Sequence, residues 1–308
     1  MAALSRFFGF DRLDTETFAT SHILSPRALF AVRLVVTLYA LAVLGAMFYQ
    51  NRGPFFFYLT CWGFLGLTTY FILATAFSAV YCFGPGAAAR VRRPRHTLVA
   101  VNEPQNGADM DASACSDDSD RWSVRAADLP LFAPQYRPYQ VVLWFLYDTV
   151  IVFHVLVPII YWSMLYGPSH HSTPFLTFTN VASHATDLVL ILIEVACNRA
   201  PLVASHSLII IVCLLLYMAL AYVVYAGQHY FVYPFLDYHL NSGWKVVLTL
   251  LAMVAGSVVL FYIQYFVHAT RDRLGACQRE KAAVPARGQV ERLATPAMGM
   301  EKDVDLKE

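Results

Sequence analysis

Charge is scarce in this chain. Of its 308 residues only 14% are Asp, Glu, Lys or Arg while 58% are hydrophobic, and the mean hydropathy is +0.50. Charged residues are missing altogether from 53–89, 149–186, 200–236 and 246–270, and each of these gaps exceeds the ~20 residues needed to cross a bilayer. A soluble globular domain is excluded on that ground. Period-two alternation is missing too, which argues against a transmembrane β-barrel. With a net charge of +1 and no basic stripe interleaved with aromatics, no nucleic-acid partner is expected. The six cysteines, Cys61, Cys82, Cys115, Cys197, Cys213 and Cys277, have no CxxC spacing, which argues against structural disulfides. Residues 1–27 mix charge and aromatics without a cleavage site, so no cleavable signal peptide is expected. No internal repeat is evident, which weighs against the inverted-repeat transporter architectures.

What is present is a series of continuous apolar runs at about 29–49, 55–81, 140–165, 175–196, 203–226 and 246–268. They predict an all-α polytopic integral membrane protein with six transmembrane helices. The expected organisation is an N-terminal cytosolic segment (1–28), helices 1–2 (29–83), a disordered cytosolic loop (84–138), helices 3–6 (139–270) and a disordered cytosolic tail (271–308). The loop opens with "GPGAAARVRRPRH" and continues through the acidic stretch "NEPQNGADMDASACSDDSD", where Ser116 and Ser119 are candidate phosphate acceptors. Placing both termini in the cytosol puts Arg6, Arg12, Arg27, Arg90, Arg92, Arg93, Arg95, Arg199, Arg271 and Arg273 inside, with Arg52 and Lys245 outside.

The informative residues are the few polar ones inside the spans. In "NVASHATDLVLILIEVA", residues 180–196, an ideal helix puts Asn180, Asp187 and Glu194 at roughly −40°, −60° and −80° from His184, so all four share one face. A charge at bilayer depth costs at least ~2.5–3.5 kcal/mol, so this face must look into the bundle or a wet cavity. Antiparallel helices place Arg33, Asp148 and Glu194 at one depth in the inner third, where they read as a buried ion-pair network. Thr60 and His184 fall at similar depth in the outer half, each some 8–12 Å below the outer end of its helix at ~1.5 Å per residue. A lone intramembrane threonine commonly bonds its own i−4 carbonyl and a lone histidine is commonly a packing residue. A hydroxyl beside an imidazole is also the minimum apparatus for nucleophilic acyl transfer. Residue types alone leave the two readings open.

Several segments together resemble the androgen-induced-gene family of multi-pass membrane proteins: "FFFYLTCWGF" (55–64), "VVLWFLYDTVIVFHVLVPIIYWSMLY" (141–166), the 180–196 helix and "GQHYFVYPFLD" (227–237), of which "VYPFLD" is the most specific. The resemblance implies a threonine hydrolase that cleaves fatty acid esters of hydroxy fatty acids. On it the nucleophile is carried over to Thr60 and the essential histidine to His184. The chain departs from the family in its longer 84–138 loop, its longer tails and in Val181, where animal relatives carry a second histidine. Asn180 or Asp187 would orient the imidazole, Gly63 and Gly66 would permit close packing or an acyl groove, and no cofactor is expected. The expected partners are the lipid bilayer and a fatty acyl ester substrate, with oligomeric state open. The expected location is the endoplasmic reticulum or another endomembrane, with the plasma membrane as the alternative.

Two other readings compete. One is a lipid or proton carrier with a relay through His184, Asp187, Asp148 and Glu194. The other is a zinc site on the outer side, from His170, His171, His229, His239 and Asp237. "SHHS" has no helical zinc-ligand spacing, and "YVVYAGQHYFVYPFLDYH" reads more simply as an interfacial aromatic belt.

Overall fold

The computed structural model describes residues 6–10, 16–85, 137–167 and 173–294, with side chains described as far as residue 277. The six expected spans are all helices: α1 (Pro26–Asn51), α2 (Leu59–Phe83), α3 (Pro138–Leu165), α4 (Pro174–Cys197), α5 (Ala204–Gln228) and α6 (Gly243–Ala294). No strand occurs among the described residues. The protein is an all-α polytopic membrane protein. Most of the 84–138 loop, with Ser116, Ser119 and Cys115, lies outside the described residues, as do His170 and His171.

Local chemistry explains the helix starts. Ser25 caps α1, accepting from Ala28 N with Pro26 at the first helical position, and Thr173 does the same for α4, accepting from Leu176 N ahead of Pro174. α2 starts differently. Pro54 and the three following phenylalanines form a 3-10 turn (Gly53–Phe57), so the α-helix begins only at Leu59. Its cap comes from far along the chain: Leu59 N donates to the Tyr233 hydroxyl at 3.0 Å, and the Tyr217 hydroxyl donates to Phe57 O at 3.0 Å. Thr60 is therefore the second residue of its helix, not one lying some 8 Å along it.

The bundle buries its strongly polar side chains within an apolar core and exposes many large apolar ones. Leu38, Leu216, Val223, Leu251 and Phe266 are exposed, while Arg33, Asp148, Asp187 and Glu194 are buried. In water this distribution would be prohibitive, whereas in lipid it leaves apolar side chains in hydrocarbon and polar ones with protein partners. α3 is the most enclosed span and packs against α2, α4, α5 and α6. Two spans carry a π-helical turn, Tyr161–Leu165 at the end of α3 and Ala182–Thr186 within α4. Pro158 precedes the first; having no N–H, it cannot donate to the carbonyl four residues back, which loosens the helix there. α6 corrects the expectation of an unfolded tail after Arg271: it remains helical to Ala294, because Ala, Arg, Glu, Gln and Lys in "RDRLGACQREKAA" are strong helix formers.

Candidate functional site

Polar side chains gather at three levels of the bundle. Nearest the end that carries residues 16–25 and 198–206, Arg33 and Glu194 form a bidentate ion pair. Arg33 also donates to Ser78 Oγ (2.8 Å) and Phe18 O, and Glu194 accepts from the Tyr70 hydroxyl (2.6 Å) and Asn198 Nδ2 (3.1 Å). Asp148 is not in this network, which corrects the expected triad. Its carboxylate lies 2.6 Å from His206 Nδ1, whose Nε2 lies 2.9 Å from Phe8 O. A common depth does not fix the direction in which a side chain leaves its helix. α3 instead contributes Tyr147, one position earlier and about 100° round, which donates to Asn198 Oδ1 at 3.2 Å and meets His268.

At the middle level, Asp187 Oδ2 lies 2.7 Å from His154 Nδ1, and His154 Nε2 lies 3.0 Å from Gly63 O. Asp187 also accepts from its own helix at Leu188 N. The expectation that Asp187 orients His184 is corrected, since the structure gives its carboxylate to His154. The π turn supplies the reason: His184 lies within it, and its wider winding changes the angle between His184 and Asp187 from that of an ideal helix. Sequence reasoning misses His154, which counts as uncharged. The signal that could have found it is its place as the one ionisable side chain between Asp148 and Tyr161, on a span otherwise apolar after Thr149.

At the far end, a cavity of about 300 Å³ is lined by Thr60, Cys61, Asn180, Ser183, His184, Tyr161, Tyr58 and Tyr233, among others. The Thr60 and His184 side chains thus reach one space from α2 and α4. His184 is buried and stacks on the Tyr161 ring, with centroids 3.8 Å apart and planes 6° off parallel. Trp162 Nε1 donates to the His184 backbone carbonyl at 2.8 Å, so both π turns meet at this residue. Thr68 and Thr69 donate to the carbonyls four residues back. The carbonyls four and three residues before Thr60 belong to the 3-10 turn and accept from Trp62 Nε1 and the Tyr217 hydroxyl, and no hydrogen bond of the Thr60 hydroxyl occurs among the described residues. "VYPFLD" borders this space through Val232, Tyr233 and Pro234. Burial pushes the Tyr233 phenol up to about 12 and the Tyr58 phenol upward as well, so both stay neutral.

A second cavity, of about 600 Å³, lies against the other side of α2 and is almost wholly apolar. Its walls include Leu59, Trp62, Gly63, Gly66, Phe145 and Tyr217, with His154 among them. A Cβ on Gly66 would meet nothing within 4 Å, so this glycine opens space and is not needed for close helix contact.

Several residues of the competing readings are engaged elsewhere. The carboxylates proposed for a relay are bonded to Arg33, His206 and His154 at separate places. Asp237 accepts from His239 N and Leu240 N in its own turn, and His239 lies against the Tyr225 hydroxyl. No family model, curated protein or solved structure matches this chain significantly.

Proposed function

We propose that the chain is an intramembrane hydrolase of lipid esters, acting on fatty acid esters of hydroxy fatty acids, with Thr60 as nucleophile and His184 as base. One observation carries the reading: Thr60, in the first turn of α2, and the buried His184 line the same cavity from two different spans. The substrate class rests on the family resemblance and on the neighbouring apolar cavity, whose size suits an acyl chain.

In this mechanism Thr60 Oγ1 attacks the ester carbonyl carbon while His184 takes the hydroxyl proton. The positive end of the α2 peptide dipoles, beside Thr60, favours the oxyanion of the tetrahedral intermediate. Collapse breaks the bond to the hydroxy fatty acid, whose alkoxide receives the proton from His184. Water, deprotonated by His184, then cleaves the acyl-threonine, releases the fatty acid and restores the hydroxyl. Asn180, on the same cavity wall, is placed to orient the imidazole or the ester. Tyr161 holds the ring plane by stacking.

The test is labelling of purified protein by a lipid-like phosphonate, followed by peptide mapping. Modification at Thr60, lost in Thr60→Ala, is the expected result; labelling elsewhere overturns the assignment. We place both termini in the cytosol, in the endoplasmic reticulum or a related endomembrane, because arginine is concentrated on one side of the spans. Cys115 should then react with an impermeant thiol reagent only after the cytosolic face is opened.

A further inference from the structure

His154 touches both helices that carry the proposed catalytic pair. From α3 its Nε2 lies 3.0 Å from Gly63 O on α2, and its Nδ1 lies 2.7 Å from Asp187 Oδ2 on α4. Gly63 is three residues after Thr60, and Asp187 is three residues after His184. The bridge therefore grips each helix one turn below its reactive side chain, and on α4 it does so at the first α-helical residue after the π turn.

The bonding also fixes the number of protons. Gly63 O can only accept, so Nε2 carries hydrogen, and Nδ1 faces a carboxylate. One more proton must lie between Nδ1 and Oδ2, on either atom, which leaves the pair neutral overall. A neutral, hydrogen-bonded pair is the form that a dry helix interface tolerates. The bridge is not crowded into place, since a Cβ on Gly63 would sit 3.7 Å from Nε2, an ordinary van der Waals distance. Its hydrogen bonds hold it.

We infer that His154 is a positioning residue for the hydrolysis proposed above: by bonding Gly63 O and Asp187 it sets the separation of Thr60 from His184. The inference rests on that reading of the site. A displacement on the order of 1 Å between nucleophile and base lowers turnover by about 10²-fold without weakening substrate binding in proportion.

The experiment combines hydrogen–deuterium exchange with steady-state hydrolysis of a fatty acid ester of a hydroxy fatty acid, on the full chain in lipid nanodiscs. In His154→Ala, exchange should rise over 58–66 and 180–188 more than elsewhere, and kcat should fall by about 10²-fold with KM changing less than about threefold. His154→Gln keeps an amide N–H for Gly63 O and an amide oxygen that accepts from protonated Asp187, so the pair stays neutral, and it should recover most of both readouts. It also serves if the alanine variant does not fold. Wild-type kcat, or an exchange change spread evenly over the bundle, in folded His154→Ala overturns the inference, and so does a His154→Gln variant that recovers neither readout. If Thr60→Ala and His184→Ala hydrolyse the ester like wild type, the site itself is wrong and the positioning role falls with it, while local exchange would still report the bridge.

Discussion

The two ends of the bundle use similar residue types to opposite effect. Around Arg33 and Glu194 each charged atom meets a partner: Ser78 and Phe18 O on the guanidinium, Tyr70 and Asn198 on the carboxylate. Thr60 and His184, at the other end, border a cavity. The first arrangement ties α1, α2 and α4 together. The second sets Thr60 and His184 on the wall of one cavity. An ionisable residue inside a membrane is a functional candidate by default, but the Arg33–Glu194 pair shows that such a residue can serve to join helices.

The largest expected effect falls on the cavity. Thr60→Ala and His184→Ala should each lower hydrolysis by at least about 10³-fold, and the double variant should be scarcely worse than either, because the groups act as a unit. Purified protein with matched thermal stability is the material to assay. Additive losses would break the contrast by making the two residues independent.

At the opposite end the expected effect is on stability. Glu194→Ala leaves Arg33 buried without its carboxylate, at a cost of about 3–5 kcal/mol. Thermal unfolding and cellular abundance should fall, and the activity of the surviving folded fraction should not. Glu194→Gln at normal abundance but without activity would move the network from scaffold to mechanism.

Smaller changes sharpen the comparison. Tyr233→Phe removes the oxygen that accepts from Leu59 N and should cost about 1 kcal/mol of stability, with a several-fold loss of turnover because Thr60 is the next residue. Wild-type turnover would show that the start of α2 needs no such cap. Smallest of all, Asp187→Asn keeps hydrogen bonding to neutral His154 through the amide, so kcat should drop only about threefold, about 0.7 kcal/mol. A loss as large as that of His184→Ala would give Asp187 a direct part in the chemistry.

Much of the frame was legible from composition. Charge-free runs reveal the spans because lipid admits little else. A common depth was enough to pair Arg33 with Glu194, since a buried charge must find its opposite. Depth failed for Asp148, because a helix surrounded by four others offers partners in several directions and His206 took the carboxylate. Helical phase failed for Asp187, because a π turn inserts a residue that no hydropathy pattern marks. His154 and Tyr161 escaped notice for a related reason. A neutral imidazole and a phenol barely disturb an apolar run, yet they make the bonds and the stacking that orient the site.

The Arg33 ion pair also bears on how the chain is made. Arg33 and Glu194 are 161 residues apart in sequence, which a ribosome covers in roughly 8–32 s at 5–20 residues per second. For that interval α1 exists without its counter-charge. During synthesis the first span must therefore be held at the insertion machinery, or sheltered by α2 through Ser78, until α4 arrives. A nascent chain stopped before Glu194 lacks the carboxylate that pairs with Arg33 in the finished bundle.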